Sequence, residues 1–444
     1  MSKPRDTRQK DLLRPPLDQI IDLGHPLARL AREIDWDFLD SRFSSVCRAG
    51  PGQPPLPTRL VAGLLILKHM HDLSDEVLCA RWLENPYYQH FCGEESFQHV
   101  LPFERSSLTR WRQRLGEEQL SALIQESLSV AHKTGALASK YLERVAVDTT
   151  VQPKNVTFPT DAKLMHKAIV MLGREAKRHG VPLRQSYVRV AKRAALMASR
   201  YAHAKQFKRH NRELRFLRTR LGRLIRDIRR KIEGDEILQE VFAVPLSRAD
   251  RVRHQRQRQR GRKLYSLHGP EVECIGKGKA RAPYEFGCKV SIATSVTKPK
   301  GGQFVLHAKA LHGNPYDGHT LGPIVADMEK LTGVQVQRIH VDKGYRGHRY
   351  PNKFRVWISG QVRRVTKAIR REMRRRAAVE PVISHLKAEH RMERNYLKGR
   401  EGDRANAVLA AAGYNFSLLL RWFEALLRAL FTALLRAALI PQTA

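Results

Sequence analysis

The 444-residue chain is short of cysteine, of acid and of unbroken apolar runs. Its five cysteines, Cys47, Cys79, Cys92, Cys274 and Cys288, are odd in number, and none stands in a C-x-x-C or C-x-x-H pair. That argues against a disulfide framework and against a zinc finger, and the thiols read as buried or incidental. The Leu- and Ala-rich stretch 405–439 is broken by Arg421, Glu424, Arg428 and Arg436. It falls short of the ~20 apolar residues of a membrane span and reads as packed helices, with no membrane partner expected. The opening MSKPRDTRQK carries no apolar segment of the kind that directs secretion, so a cytoplasmic location is expected. Acid is the telling shortage: 43 Asp and Glu stand against 81 Lys and Arg, a formal net charge of +38. Solubility does not require such an excess, so a polyanionic partner is expected, with nucleic acid the leading candidate. The 42% hydrophobic content is ample for sizeable cores in two or three domains.

Residues 1–57 read as a basic leader and linker, ending in the breaker-rich Ala49-Gly50-Pro51-Gly52 to Pro54-Pro55-Leu56-Pro57. A helical domain is expected over 58–137. Thr58, Ser74 and Ser106 or Ser107 are the candidate N-caps, and the third helix, from Ser107 to Leu115, carries Arg110, Arg112 and Arg114 around Trp111. Three short helices ending in a basic one suit a helix-turn-helix DNA reader, or a small helical domain with a solvated basic face.

The pattern changes at 138–160, where Val145-Ala146-Val147 reads as a buried strand closed by Asp148. Residues 161–263 return to helical spacing and are strongly basic: from 181 to 263 there are 25 Lys and Arg against 7 Asp and Glu. Over 264–400 the pattern gives strands at Tyr284–Val296 and Phe304–Leu311, a helix from about His319 to Lys330, a strand Val336–Val341 closed by Asp342, and another at 355–358. The order is that of an α/β domain. A run with eight basic residues between Arg363 and Arg376 then leads into an amphipathic helix reaching about His390, and helices are expected over 401–444.

Cutting a phosphodiester with two divalent cations takes carboxylates converging from separate elements. Asp148 and Asp342 each close an apolar strand, the edge at which α/β sheets bind ligands. Glu380 is the third candidate. At about 100° per residue, Arg376, Glu380 and Lys387 fall within a ~40° arc of one helix face, whereas Glu389 lies on the far side. Two cations flanking the acid keep it ionised for a metal and can hold a DNA backbone beside it. Asp317 and Asp161 are the remaining rivals for a metal, and read more as loop and helix-cap acids. Tyr345 reads as a packing or DNA-contact residue rather than a nucleophile. His69 and His71, near Tyr87 and Tyr88, point about 200° apart on a helix and could not share a metal.

These residues resemble the DDE transposases of bacterial insertion sequences, specifically the insertion-sequence-five type. The likeness runs from about 56 to about Gly399. It rests on Val147-Asp148-Thr149-Thr150, on the stretch Gly313-Asn314-Pro315-Tyr316-Asp317-Gly318-His319-Thr320, on Val341-Asp342-Lys343-Gly344-Tyr345 and on Arg376, Glu380 and Lys387. In the family, Tyr, two residues, Arg, three residues, Glu, six residues and Lys follow in order, and Met373 stands here at the Tyr position. The resemblance implies a ribonuclease-H-like catalytic core with an N-terminal helical DNA-binding domain and a long basic helical insertion between the first and second core strands. It implies that Asp148, Asp342 and Glu380 bind Mg²⁺, for which Mn²⁺ would substitute, that water cuts the transposon ends and that the freed 3′-hydroxyl attacks target DNA. A nucleoid-associated homodimer on double-stranded DNA is the expected assembly. Arg376, Lys387, Tyr345, Arg110, Arg112 and Arg114 are the candidate DNA contacts, with Arg223 and Arg226 among the insertion arginines Arg212, Arg215, Arg229 and Arg230. A DNA-binding protein or repressor that keeps the fold without the chemistry is the alternative, favoured by Met373.

Overall fold

The structure, a computed structural model, describes residues 15–46, 56–257, 259, 261, 263–277 and 283–438. Most of the breaker-rich stretch expected as a linker therefore lies outside the described residues. Residue contacts divide the chain into two units, 1–153 with 288–444, and 154–287.

The first unit begins with α1 (Leu17–Ile20), α2 (Pro26–Glu33) and α3 (Trp36–Phe43). Leu27, Leu30, Leu39 and Phe43 are buried in the same core as the helices that follow, so the described part of the expected leader, 15–46, is packed structure, while 1–14 and 47–55 lie outside the described residues. The leader's charge masked an apolar spacing short enough to fit two-turn helices. Next come α4 (Thr58–Met70), α5 (Asp75–Glu84), α6 (Pro86–Phe91), α7 (Ser106–Arg114) and α8 (Glu117–Lys133). Ser74 caps α5 through Oγ, which accepts from Val77 N at 3.1 Å. Thr58 and Ser106 instead open their helices from inside, behind Pro57 and Arg105, with no side-chain cap bond.

β1 (Arg144–Pro153) follows and runs five residues past Asp148. The β-branched Thr149, Thr150 and Val151 keep the backbone extended there, so the expected strand end at Asp148 is corrected. What ends near Asp148 is the parallel pairing, whose register is Arg144 with Arg338, Val145 with Ile339 and Ala146 with His340.

The second unit holds α9 (Asp161–Arg178), α10 (Val188–His203), α11 (Phe207–Lys231) and α12 (Glu236–His254). They enclose a core of their own that includes Ile169, Leu172, Leu221, Leu224 and Phe242. On α11, Leu217, Leu221, Leu224 and Ile228 are buried at helical spacing, while Arg212, Arg215, Arg223 and Arg226 are exposed. The unit ends with β2 (Glu273–Gly276), antiparallel to the first residues of β3 (Tyr284–Ser295).

From Cys288 the chain returns to the first unit. β3 and β4 (Val305–Leu311) form an antiparallel hairpin with a bulge at Ala293/Thr294. α13 (Asp317–Thr332), β5 (Arg338–Val341), β6 (Val356–Ile358), α14 (Lys367–Arg375), α15 (Val379–Glu389) and α16 (Gly399–Ala438) complete it. The strand order is β4, β3, β1, β5, β6, with β1, β5 and β6 parallel. The C-terminal region is one 40-residue helix rather than several. Gly413 lets it approach α4 closely, since a Cβ there would stand 2.6 Å from the His69 backbone carbon. Asn415, fully buried on α16, donates to Val305 O at 2.8 Å and Ser127 Oγ at 2.9 Å and accepts from Val305 N at 2.9 Å. The amide thereby ties α16 to β4 and α8 with its polar atoms satisfied. Among the described residues no helix is long and apolar enough to cross a membrane.

Candidate active site

Side chains alternate across a strand, so Arg144 and Asp148 on β1 share a face with each other, as do Arg338, His340 and the Asp342 position on β5. α14 crosses this face. Its Glu372, 6% exposed, accepts from Arg338 Nη2 at 3.0 Å and Arg144 Nη1 at 3.3 Å, while His340 Nε2 lies 3.1 Å from the second oxygen. Burial lowers the His340 pKa although Glu372 opposes the shift. Because an ionised carboxylate can only accept, Nε2 is the donor in this contact.

One turn on, Arg376 opens a 3-10 turn (Arg376–Ala378) between α14 and α15, an interruption of the single helix expected from the pattern. Arg376 Nη1 donates to Asp148 Oδ2 at 3.1 Å, and Nη2 stands 3.5 Å from Glu380 Oε1. The guanidinium and Asp148 are largely enclosed, with side chains 13% and 15% exposed, whereas Glu380 is 65% exposed. Burial raises the Asp148 pKa; Arg376 and the Thr149 N–H oppose that, and the charge of Asp342 adds to it.

Asp342 follows β5 directly and caps a 3-10 turn, Lys343–Tyr345, with Oδ1 accepting from Gly344 N at 2.9 Å. Asp317, the first residue of α13, reaches the same place. Its Oδ1 accepts from Lys289 Nζ at 3.1 Å and from Thr149 Oγ1 at 3.2 Å. From the sequence Asp317 is a rival for a metal that reads more as a loop or helix-cap acid; the signal for it is that it closes the glycine- and proline-rich segment entering α13. Beneath the acids Tyr345 is fully buried, with no hydrogen-bond partner for its hydroxyl. Burial, then the charges of Asp317, Asp148 and Asp342, push its pKa up. A buried phenol is not a surface contact, and the assignment of Tyr345 to DNA is corrected.

Arg112 is corrected in the same way. It is 6% exposed and makes a two-pronged pair with Asp75, Nη1 to Oδ1 at 2.9 Å and Nη2 to Oδ2 at 2.6 Å, which Lys68 joins. Arg110 and Arg114 are exposed on α7, Arg223 and Arg226 on α11, and Lys387 is half-buried on α15. Arg229 and Arg230 stand 3.6 Å from Asp250 and Asp227 respectively. Met373 is half-buried on α14, and Asp161 opens α9 in the second unit. His69 is buried with Nδ1 3.4 Å from His390 O, and His71 ends α4 stacked on Tyr88.

Hard oxygen donors from β1, the turn after β5 and the start of α13 lie near one another, with Glu380 tied to Asp148 through Arg376. Such donors suit a divalent cation of the Mg²⁺ or Mn²⁺ kind rather than a thiol-seeking metal. The described side chains whose ligand atoms gather within 4.8 Å are, by contrast, Cys288, His312 and Asp403.

Comparison with known proteins bears on what this site belongs to. Residues 342–420 match a transposase DDE domain, and residues 15–114 match a transposase domain of the DUF772 type. An uncharacterized protein, ORF8 in the nfe locus of Rhizobium meliloti, is 52% identical over 199 residues, which cover 45% of this chain and 96% of that protein. Both matched domains are transposase domains, and together they support a DDE transposase. No solved structure matches the chain. The N-terminal match starts at residue 15 and takes in α1 to α3, in keeping with their packing into the core. The DDE match opens on Asp342 and encloses Arg376, Glu380 and Lys387. DDE transposase domains generally use divalent metal ions, and a transposase family implies a DNA substrate.

Proposed function

We propose that this transposase is of the insertion-sequence-five type and that it binds the ends of its element, cleaves them with activated water and joins the 3′-hydroxyl to target DNA. Asp148, Asp342 and Glu380 are the catalytic carboxylates. The observation that carries this reading is the Arg376 bridge: Arg376 reaches Asp148 across 228 positions of sequence and stands beside Glu380 one turn on. The strand order, an antiparallel hairpin on one side of β1 and parallel strands on the other, supports a ribonuclease-H-like core with the helical second unit inserted between its first and second strands.

Cations bound by the three carboxylates, Mg²⁺ by preference, would polarise the phosphodiester and favour the attacking oxygen. The rest is done by the chain itself. Arg376 opposes the rise that burial imposes on the Asp148 carboxyl and restrains Glu380 at the solvent side. Lys387 and the exposed arginines of α7 and α11 bind phosphates, which gives affinity with little sequence information. Two ends must be handled together, so the active form is a homodimer on DNA.

The test is an in vitro reaction of the purified chain with its flanking genomic ends, an unrelated plasmid and Mg²⁺. Cleavage and joining that disappear with Asp342→Asn support the proposal. Equal binding of the ends by both proteins with no cutting by either, in Mg²⁺ or Mn²⁺, overturns it.

A further inference from the structure

The three acids of the family do not account for everything that converges at this site. Asp317 is less exposed than Glu380, 21% against 65% for the side chains. Both of its ties use Oδ1: Lys289 of β3 and Thr149, the neighbour of Asp148, meet on that atom. No hydrogen bond reaches Oδ2 among the described residues. That oxygen is aimed at Gly344, where a Cβ would stand 3.2 Å from Asp317 Oδ2 and 3.0 Å from Asp342 Oδ1. Two carboxylate oxygens from different elements therefore flank one position that has no room for a side chain. A separate observation points the same way. The Tyr345 hydroxyl is fully buried and unpartnered, and it feels the charges of Asp317, Asp148 and Asp342. A buried hydroxyl is normally paired, and a ligand oxygen entering between the acids would pair it.

We propose that Asp317 is a fourth metal-binding carboxylate of this site, sharing a divalent cation with Asp342 through the Oδ2 edge that faces Gly344. The proposal rests on the transposase reading of Asp148 and Asp342. It also gives Lys289 and Thr149 a purpose, since by holding Oδ1 they turn Oδ2 toward the other acids. The ligand set on this side would be wholly oxygen, as Mg²⁺ and Mn²⁺ require.

The experiment measures Mn²⁺ binding to the full chain by electron paramagnetic resonance, without DNA and without turnover. Asp317→Asn preserves the Oδ1 acceptor and so the ties to Lys289 and Thr149, and removes only the charge. The expected result is at least a tenfold weaker affinity, or loss of one bound ion, comparable to the effect of Asp342→Asn, while Asp161→Asn binds as the unaltered chain does. If Asp317→Asn retains full affinity and stoichiometry while Asp342→Asn loses them, Asp317 is a structural acid and the proposal falls with the transposase reading intact. If Asp342→Asn also binds normally, the reading of the whole site fails. Should Asp317→Asn lose its circular dichroism signature, Gly344→Ala takes its place. Its methyl group enters between the two oxygens and weakens Mn²⁺ binding if they share an ion, and leaves binding unchanged if they do not.

Discussion

Glu372 and Glu380 lie eight residues apart, one on α14 and the other on α15, yet their surroundings are opposite. Glu372 is buried and meets Arg144, Arg338 and His340. Glu380 is mostly exposed and has one distant guanidinium, already committed to Asp148. An acid whose charge is answered by the protein is part of the fold; an acid left with an unmet charge at an open edge is available to a ligand. The first fixes where α14 lies on the sheet, and the second uses that placement. Arg376 sits between them and belongs to both, because the anchor upstream determines that it can reach Asp148.

The comparison can be broken by substitutions at either end. The largest effect is expected from Glu380→Gln: cleavage and joining should fall by about a thousandfold or more, as when a metal-binding carboxylate is lost, with a thermal midpoint close to that of the unaltered chain. A large drop in the midpoint would show that Glu380 is structural after all. Glu372→Gln should do the reverse. Breaking a buried pair costs about 3–5 kcal/mol, but Arg144 and Arg338 are partly solvated, so a loss of about 2 kcal/mol is expected in urea unfolding. Mn²⁺ affinity should fall less than stability does. Arg376→Lys, which keeps the charge but not the two-pronged reach, should lower activity by about tenfold to a hundredfold with little change in stability. An unchanged rate would mean that the bridge seen here is not needed for turnover.

The smallest effect comes from outside both ends and calibrates them. His307 is buried on β4, and burial lowers its pKa from 6.5 to about 4 although Asp327 opposes the shift. The unfolded chain takes up the proton first as pH falls, so stability from this residue is present above 6.5 and is lost between 6.5 and about 4. Urea midpoints of the unaltered chain and of His307→Gln should converge over that interval. A slope unaltered by the substitution would place the acid sensitivity elsewhere.

The strands carrying Asp148 and Asp342 were legible because short apolar runs ending at acids have a strong period. The hairpin β3–β4 and the helix α13 were legible for similar reasons of spacing and breakers. What stayed hidden depends on partners remote in sequence. Nothing near Glu372 announces Arg144, and nothing near Arg112 announces Asp75, so a buried ion pair and a solvated basic face look alike in one dimension. Asp317 was hidden by its ordinary setting at a helix start. Its distinction comes from Gly344 and Thr149, which only the folded sheet brings beside it. The early helices were missed because two-turn segments offer too few repeats for a period to stand out from a charged background.

β1 has consequences for how the protein is made. Its neighbours in the sheet, β3 and β5, begin 140 and 194 residues after it does. During synthesis this central strand leaves the ribosome with both edges open and waits for most of the remaining chain, while the second unit, with its own core, can condense in the interval. Long-range strand pairing is slow, and exposed edges invite pairing with other chains. The nascent protein is thus most open to chaperone capture, or to misassembly with another nascent copy, during the passage from 153 to 338, a window in which the nuclease site cannot exist.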